Sequence, residues 1–156
     1  MVSREVKYMI KFSRRNGRFG AFSNFHTCNM TFDGITYTSS EAAWQAQKTT
    51  DVSQRMRFAT YTPSVAKKMG RQVQLREDWE DVKYKLMVEV CYAKFSQNEN
   101  LKRLLLSTGE EELVENTTGW HDNIWGNCEC ERCINKEGRN LLGKALMEVR
   151  KLLRKE

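Results

Sequence analysis

The chain has 156 residues, with 26 lysines and arginines against 20 acidic residues, so its formal net charge is +6. Hydrophobic residues make up 40% and charged residues 29%, proportions that exclude a disordered chain. The length predicts a single domain over residues 1–156, and no apolar run is long enough for a transmembrane helix. The excess of cations favours an anionic partner such as a phosphate or a nucleic acid, although a merely soluble basic surface would carry the same charge.

The first third of the chain predicts a small antiparallel β element followed by helices. A first strand is indicated by apolar residues that alternate with more polar neighbours, namely Val6, Tyr8, Ile10 and Phe12. Asp33-Gly34 lies between β-forming residues in the segment 30–37, which is a strong hairpin signal. Helices are then predicted over 38–49 and 52–60.

The rest of the chain is predicted to be mainly helical. Thr62-Pro63 is typical of a helix start, and Gly70 marks the end of that helix. Helical spacing of apolar residues predicts further helices over 78–95 and 98–108 and a last one that begins near Asn140. We therefore predict a mainly α, compact single-domain fold with a small antiparallel β element near the N-terminus.

The helix after the hairpin carries polar residues on the face that normally holds leucines. Glu41, Trp44, Gln45 and Lys48 share one face because their spacing is i, i+3, i+4 and i+7. A carboxylate and an amine on such a face suggest a polar pocket. Two plainer interpretations stay open: Thr38 as N-cap would place Glu41 in a capping box, and Lys48 would be a solvated lysine near a helix end.

A polar, aromatic and cysteine-rich stretch over 116–138 is predicted to be a functional loop. Within it, Trp120 and Trp125 flank the carboxylate of Asp122. Aromatic rings can stack on a base, and an aspartate can bind ribose hydroxyls or assist proton transfer. The alternative is an ordinary turn whose tryptophans fill the core.

Three cysteines in the same loop, Cys128, Cys130 and Cys133, have a spacing that suits a soft tetrahedral cation. Zinc would need a fourth ligand, and His121, His26 or Cys28 could supply it. Free thiols are the alternative, because zinc fingers usually draw their ligands from two well-separated pairs. The chain begins without the apolar core of a signal peptide, so reduced cysteines and a cytoplasmic location are predicted.

Two further segments could contact an anionic ligand. The segment 19–25 combines a glycine with aromatic residues and an amide, and it follows several arginines. Its spacing is not that of a dinucleotide or phosphate loop, so it is a weak signal alone. Lys67, Lys68 and Arg71 cluster near a helix end, where they could bind phosphates or form a solvated face.

Taken together and in order, these stretches resemble the YbiA-like or NADAR (NAD- and ADP-ribose-associated) family. The resemblance covers about residues 12–153, and each motif is weak alone whereas the ordered set is strong. The matching stretches in the first half are Gly20-Ala21-Phe22-Ser23-Asn24-Phe25, Glu41 with Gln45 and Lys48, Gly70-Arg71, Trp79 and Lys94-Phe95. In the second half they are Leu113-Val114-Glu115, Asp122-x-x-Trp125-Gly126, and Gly138-x-Asn140-x-Leu142-Gly143. Ile124 departs from the aromatic residue expected in many relatives, and the cysteine cluster looks like a subgroup feature.

The resemblance implies an N-glycosidase of ribosides with a compact, largely helical fold. Some members of the family act on phosphoribosylamino-pyrimidine intermediates of riboflavin synthesis, and others remove ADP-ribose from guanine in nucleic acid. For this chain we expect the second activity, with an ADP-ribosylated nucleic acid or a phosphorylated riboside as partner and no cofactor for catalysis; Cys128, Cys130 and Cys133 are the candidate ligands of a structural zinc ion, with free thiols as the alternative. A non-catalytic module that binds ADP-ribose or a nucleotide, and a zinc-stabilised nucleic-acid binder, are the alternatives.

The resemblance also assigns expected roles to residues. Glu41 is expected to be the general acid or base, and Lys48 to attack the sugar C1 as a Schiff-base nucleophile. Asp122 is expected to orient a ribose hydroxyl or a water. Substrate contacts are expected from seven residues: Phe22, Asn24, Phe25, Arg71, Trp79, Trp125 and Asn140.

Overall fold

Six helices and two small sheets make up residues 8–15 and 17–156, which are the residues described by the structure, a computed structural model. The strands are β1 (Met9–Phe12), β2 (Thr27–Phe32), β3 (Ile35–Ser39) and β4 (Glu112–Glu115). The helices are α1 (Ser40–Ala46), α2 (Val52–Phe58), α3 (Pro63–Gly70), α4 (Trp79–Gln97), α5 (Glu99–Ser107) and α6 (Leu141–Arg154). The prediction of a mainly α fold with a small β element is confirmed; Val6 lies outside the described residues.

The two sheets differ in direction and in how well the sequence predicts them. β2 and β3 form the expected antiparallel hairpin, and Asp33 and Gly34 have φ of 49° and 79°, as a tight hairpin turn requires. β1 pairs in parallel with β4, from Met9 beside Glu112 to Phe12 beside Glu115. The sequence analysis did not predict β4 or this pairing, because a four-residue strand carries almost no periodic signal.

Helix α1 is shorter than predicted, and its cap is one residue later. Ser39, not Thr38, is the N-cap, and its hydroxyl accepts a hydrogen bond from the Ala42 backbone N–H at 3.1 Å. Glu41 is therefore not at the position that a capping box needs, and that interpretation is wrong. The helix ends at Ala46, so Lys48 lies in the turn that follows it.

The core is built around α4 and α6, which pack against each other. Helix α6 buries one face, formed by Leu142, Leu146, Val149 and Leu153. Helix α1 packs against α3 and α4, and all seven of its residues are buried. This packing fixes the position of α1 in the fold.

A buried lysine of α4 holds the segment before β2 in place. Lys94 is fully buried, and its ammonium donates to the carbonyls of Ala21 at 2.7 Å and Ser23 at 3.0 Å. These bonds satisfy two backbone carbonyls of the segment 19–25, and the positive charge of the ammonium strengthens them.

Among the described residues, no helix combines the length and the hydropathy needed to cross a membrane.

Candidate active site

A cavity of about 430 Å³ opens between α1, α3, the end of β4, the segment 13–25 and the loop 117–139. Its volume lies in the range of roughly 300–1,000 Å³ that small-molecule sites occupy. Seven of the predicted site residues line it: Asn24, Phe25, Glu41, Lys48, Arg71, Asp122 and Trp125. The fold thus brings these seven residues together from four separate stretches of the chain.

Glu41 lies in the first turn of α1, with its side chain facing the cavity and only 7% of its surface exposed. Gln45, one turn later, donates from its side-chain amide to the Glu41 carboxylate at 2.9 Å. Burial raises the pKa of Glu41, and this hydrogen bond and the nearby Lys67 and Lys48 partly oppose the rise. A glutamate in this setting is suited to hold and donate a proton.

Lys48 follows the end of α1 and stays on the cavity side because its backbone N–H still bonds to the Gln45 carbonyl at 3.2 Å. Its ammonium lies 5.4 Å from the ring centre of Trp44 and 5.8 Å from that of Trp79. Burial lowers the pKa of Lys48; Glu41 opposes this, and the cations Arg71 and Lys67 add to it. The neutral amine, which is the nucleophilic form, is therefore favoured relative to an exposed lysine.

Asp122 faces the same cavity from the loop. One of its carboxylate oxygens accepts hydrogen bonds from the backbone N–H groups of Ile124 and Trp125, both at 2.9 Å. The Thr117 hydroxyl donates to the Asp122 carbonyl at 2.6 Å. Asp122 thus stabilises a turn, and its carboxylate also lines the cavity.

A third carboxyl group, that of Glu115, lines the cavity at the end of β4. Burial raises the pKa of Glu115 to about 8, and the neighbouring Asp122 and Glu41 add to the rise. Glu115 belongs to the stretch Leu113-Val114-Glu115, which carries part of the family resemblance, but no role was predicted for it. The signal in the sequence was a carboxylate directly after two apolar residues. It could not be interpreted because strand β4 was not predicted.

Aromatic rings form the floor of the cavity. The rings of Trp44 and Trp125 meet edge to face with centres 4.9 Å apart, and Trp44 contacts Trp79 at 5.0 Å. Trp44 and Trp125 line the cavity, whereas Trp79 lies behind them, only 6% exposed. Trp79 therefore supports Trp44 and Lys48 from behind and does not line the cavity.

Cations and an aromatic ring form one side of the cavity. The Arg14 guanidinium lies 4.9 Å from the ring centre of Phe25, and the Lys67 ammonium lies 5.9 Å from it. Arg71 caps the end of α3 and also faces the cavity. Asn24 is nearly buried, and its side-chain oxygen accepts from the Ser40 hydroxyl at 2.8 Å.

Two further predicted substrate contacts, in addition to Trp79, lie outside the cavity lining. Phe22 is completely buried and packs edge to face on Phe12 and Phe95. Asn140 has a φ of 48° before α6, and its amide donates to the Leu113 carbonyl at 2.8 Å and accepts from the Glu115 N–H at 3.0 Å. Phe22 is therefore a core residue, and Asn140 holds the backbone of β4 in place at Leu113 and Glu115.

A shallower groove adjoins the cavity and shares Arg14, Phe25 and Ser64 with it. Its lining also includes Arg15 and His26. The cavity therefore continues into a surface channel with two arginines.

Four potential metal ligands meet in the loop beside Asp122. Their ligand atoms, from His121, Cys128, Cys130 and Cys133, all lie within 4.8 Å of one another. Hydrogen bonds from the Cys130 backbone and from the neighbouring thiols and His121 lower the pKa of Cys128 to about 6. His26 and Cys28, the other two candidates for a fourth ligand, are not in this group.

Comparison with known proteins agrees with this architecture. The NADAR domain family model matches residues 11–154. N-glycosidase YbiA of Escherichia coli is 38% identical over 148 residues, which are 93% of this chain and 88% of that protein. An N-glycosidase of Nostoc punctiforme is 37% identical over 87% of this chain and 86% of its own length. A riboflavin biosynthesis protein of Vibrio vulnificus is 35% identical over 92% of this chain but only 38% of its own length.

A solved structure extends the similarity from sequence to fold. The NMR structure of YbiA from Escherichia coli superposes with a TM-score of 0.81 at 36% identity, and the match covers 97% of this chain and 88% of that one. Sequence and fold thus agree over almost the whole length, and the relatives are named as N-glycosidases, which are hydrolases that act on N-glycosyl bonds. The chain belongs to the NADAR domain family.

Proposed function

We propose that this chain is an N-glycosidase that hydrolyses the C1–N bond between ADP-ribose and a guanine of nucleic acid. The observation that carries the proposal is the pair formed by Glu41 and Lys48 in one largely buried cavity. Burial raises the pKa of the first group and lowers that of the second, so it favours the uncharged form of both. A protonated carboxyl group and a neutral amine are the two groups that the reaction needs.

The chemistry follows from these two forms. The C1–N bond breaks, its electron pair passes to the base nitrogen, and that nitrogen takes the proton of the Glu41 carboxyl group. The Lys48 amine bonds to C1 and returns one proton to Glu41. The C1–O4′ bond then breaks and the second amine proton passes to O4′, so that the ribose ring opens to an imine between Nζ and C1. Water then adds at C1 and the amine leaves, so that one water is consumed for each base released.

The remaining cavity residues suit the other parts of such a substrate. Asp122 would accept a hydrogen bond from a ribose hydroxyl or hold the water. The Trp125 ring could stack on the base. Arg14, Lys67 and Arg71 would bind the diphosphate, with the planar guanidinium groups best suited to its oxygens. The reaction uses water as its co-reactant and needs no cofactor.

The adjoining groove favours a nucleic acid over a small metabolite as the substrate. One of its arginines, Arg15, lines the groove but not the cavity, and the net charge of +6 favours a polyanion. A nucleic-acid strand attached to the modified guanine could follow this groove.

A phosphoribosylamino-pyrimidine is the second candidate substrate. The specific observation in its favour is the similarity to the Vibrio vulnificus riboflavin biosynthesis protein. Its phosphate and ribose would use the same cations and Asp122, but it would leave the groove empty. A cytoplasmic location, predicted from the reduced cysteines, fits either substrate.

The two substrates can be separated by comparing kcat/KM on each, for the wild type and for Arg15→Ala. We expect the wild type to prefer DNA with ADP-ribosylated guanine. Arg15→Ala should lower kcat/KM on that DNA about threefold to tenfold, since it removes roughly one phosphate contact, and leave the pyrimidine reaction unchanged. Arg103→Ala, which changes an exposed arginine of α5 paired with Glu99, is the matched control and should alter neither.

Preference for the pyrimidine, with no effect of Arg15→Ala on either substrate, would replace the proposal by the second candidate. Tight binding of ADP-ribose without turnover of either substrate would instead identify a non-catalytic binding module.

A further inference from the structure

We propose that His121, Cys128, Cys130 and Cys133 form a structural zinc site that holds the loop 117–139 against the cavity. The site lies outside the groups that carry the proposed reaction. Its metal-binding part stands independently of that reaction, whereas its link to the cavity rests on the proposed function.

The distances within the cluster match a tetrahedral centre. The His121 Nδ1 atom lies 3.6, 3.3 and 3.4 Å from the sulfurs of Cys128, Cys130 and Cys133. Zinc bonds of about 2.3 Å to sulfur and about 2.0–2.1 Å to nitrogen at tetrahedral angles place S and N about 3.6 Å apart. The Cys128 and Cys130 sulfurs are 3.3 Å apart, where the same geometry gives about 3.8 Å, so small side-chain rotations complete the site.

The donor set selects the metal class. Three thiolates and one imidazole in a tetrahedral arrangement suit zinc, whereas magnesium and calcium prefer oxygen ligands. Because all four positions are filled by protein side chains, no position is left for a substrate or a reactive water. Such a closed site is structural and not catalytic.

The backbone around the cluster is arranged to present these ligands. The Cys128 backbone N–H donates to the Asn123 side-chain oxygen at 3.0 Å, and the Cys133 N–H donates to the Cys130 carbonyl at 3.0 Å. His121 has a φ of 58°, in the left-handed region that non-glycine residues rarely adopt. A metal bond at Nδ1 would offset the cost of that conformation.

Hydrogen bonds such as those to Asp122 hold the loop, but it has little regular secondary structure. It contains no helix, and its β structure is limited to an isolated bridge between Asn116 and Asn127. Long loops without regular structure need a specific anchor to be ordered. Metal binding can supply that anchor, since its free energy adds to that of folding.

The cluster is adjacent to the cavity along the chain. His121 lies between Trp120 and Asp122, both of which line the cavity. A zinc ion on His121 would therefore fix the position from which Asp122 approaches the substrate. The metal would act on the reaction only through the placement of this loop.

Metal analysis of the full-length protein tests the site without any substrate. Protein produced in zinc-supplemented medium should retain about one zinc ion per chain after dialysis, and zinc removed by a chelator should be replaceable by Co²⁺ with the visible absorption of tetrahedral thiolate coordination. His121→Asn, which keeps a residue that tolerates positive φ, and Cys130→Ser at a half-exposed position should both lose the ion. Cys28→Ser is the matched control and should keep it.

Limited trypsin digestion tests the effect on the loop. Arg132, Lys136 and Arg139 are exposed cleavage sites within it. We expect cleavage at these residues at least about tenfold faster in the metal-free protein, with the rest of the chain protected. Wild-type protein that neither retains zinc nor binds Co²⁺ tetrahedrally would overturn the proposal, as would zinc retained by both ligand variants. An equal cleavage rate with and without metal would overturn the anchoring role; none of these results would bear on the N-glycosidase activity.

Discussion

The two walls of the cavity are built in different ways. Glu41 and Lys48 lie on or beside α1, whose seven residues are all buried against β3, α3 and α4. Asp122 and Trp125 lie on an irregular loop held by hydrogen bonds from side chains to backbone and by the histidine–cysteine cluster. Core packing therefore fixes the groups proposed to react, whereas a separately anchored segment carries the groups proposed to bind.

The largest effect on activity is expected from a substitution at Glu41, on the α1 side of the cavity. Glu41→Gln keeps the size and the contact with Gln45 but cannot donate a proton, so kcat should fall by roughly 10²–10⁴, the usual contribution of a general acid. Steady-state kinetics on the substrate that the wild type turns over will measure it. Glu112→Gln, an exposed change on β4, is the control and should leave kcat unchanged. Wild-type kcat in Glu41→Gln would remove Glu41 from the mechanism.

The next effect concerns Lys48. Lys48→Arg keeps a cation but removes the nucleophilic amine, and we expect a loss of roughly 100-fold in kcat. Borohydride added during turnover should reduce the imine and leave a sugar adduct on Lys48, detectable by peptide mass spectrometry. Lys102→Arg on α5 is the control. If the wild type turns over and no adduct forms on Lys48, direct attack by water replaces the imine route.

Alanine substitutions at Gly126 and Gly70 test how tightly the two sides of the cavity are packed. A methyl group at Gly126, in the loop, would lie 2.7 Å from the Glu115 carbonyl oxygen, a backbone atom that cannot move without shifting β4. A methyl group at Gly70 would lie 1.9 Å from the Gln45 side-chain oxygen, which can rotate away. Gly126→Ala should therefore lower the free energy of unfolding by about 2–3 kcal/mol and Gly70→Ala by about 1 kcal/mol, measured by urea denaturation. The reverse order would contradict the packing described.

A similarly small effect is a pH dependence of stability. The folded state holds the Glu115 proton up to a pKa of about 8, while the unfolded chain releases it near about 4.3. Between these values the folded state binds more protons, so its stability falls as pH rises. Glu115→Gln should flatten the loss of stability between about pH 5 and about pH 9 by about 1–2 kcal/mol, in view of its partial exposure, as measured by urea denaturation. If the free energy of unfolding of Glu115→Gln falls with pH as steeply as that of the wild type or of the control Glu112→Gln, Glu115 is ionised throughout this pH range.

The sequence predicts the α1 side of the cavity better than the loop 117–139, because the hydrophobic periodicity of a short segment indicates its local secondary structure. Helix spacing alone places Glu41, Gln45 and Lys48 on one face, and the hairpin signal at Asp33-Gly34 fixes the strands before them. The details that fail are those at element ends: Ser39 replaces Thr38 as the cap, because both residues are good N-caps and the choice depends on where the strand ends.

The contacts between distant segments could not be predicted in this way. The parallel pairing of β1 with β4 joins residues about a hundred positions apart, and with it Glu115 enters the cavity. Phe22 and Trp79 were expected at the substrate, yet the structure buries Phe22 in the core and Trp79 behind Trp44. Aromatic residues serve packing and stacking equally well, so only the three-dimensional arrangement separates these uses.

The central claim is that the cavity breaks a C1–N bond of a riboside. The most direct test incubates wild-type protein and Glu41→Gln side by side with an oligonucleotide that carries ADP-ribosylated guanine, and with a phosphoribosylamino-pyrimidine, and follows the products by mass spectrometry. We expect the wild type to release the free sugar and the unmodified base from at least one of them and Glu41→Gln to release almost none. A correctly folded wild type that cleaves neither substrate, or a Glu41→Gln variant as active as the wild type, would contradict it.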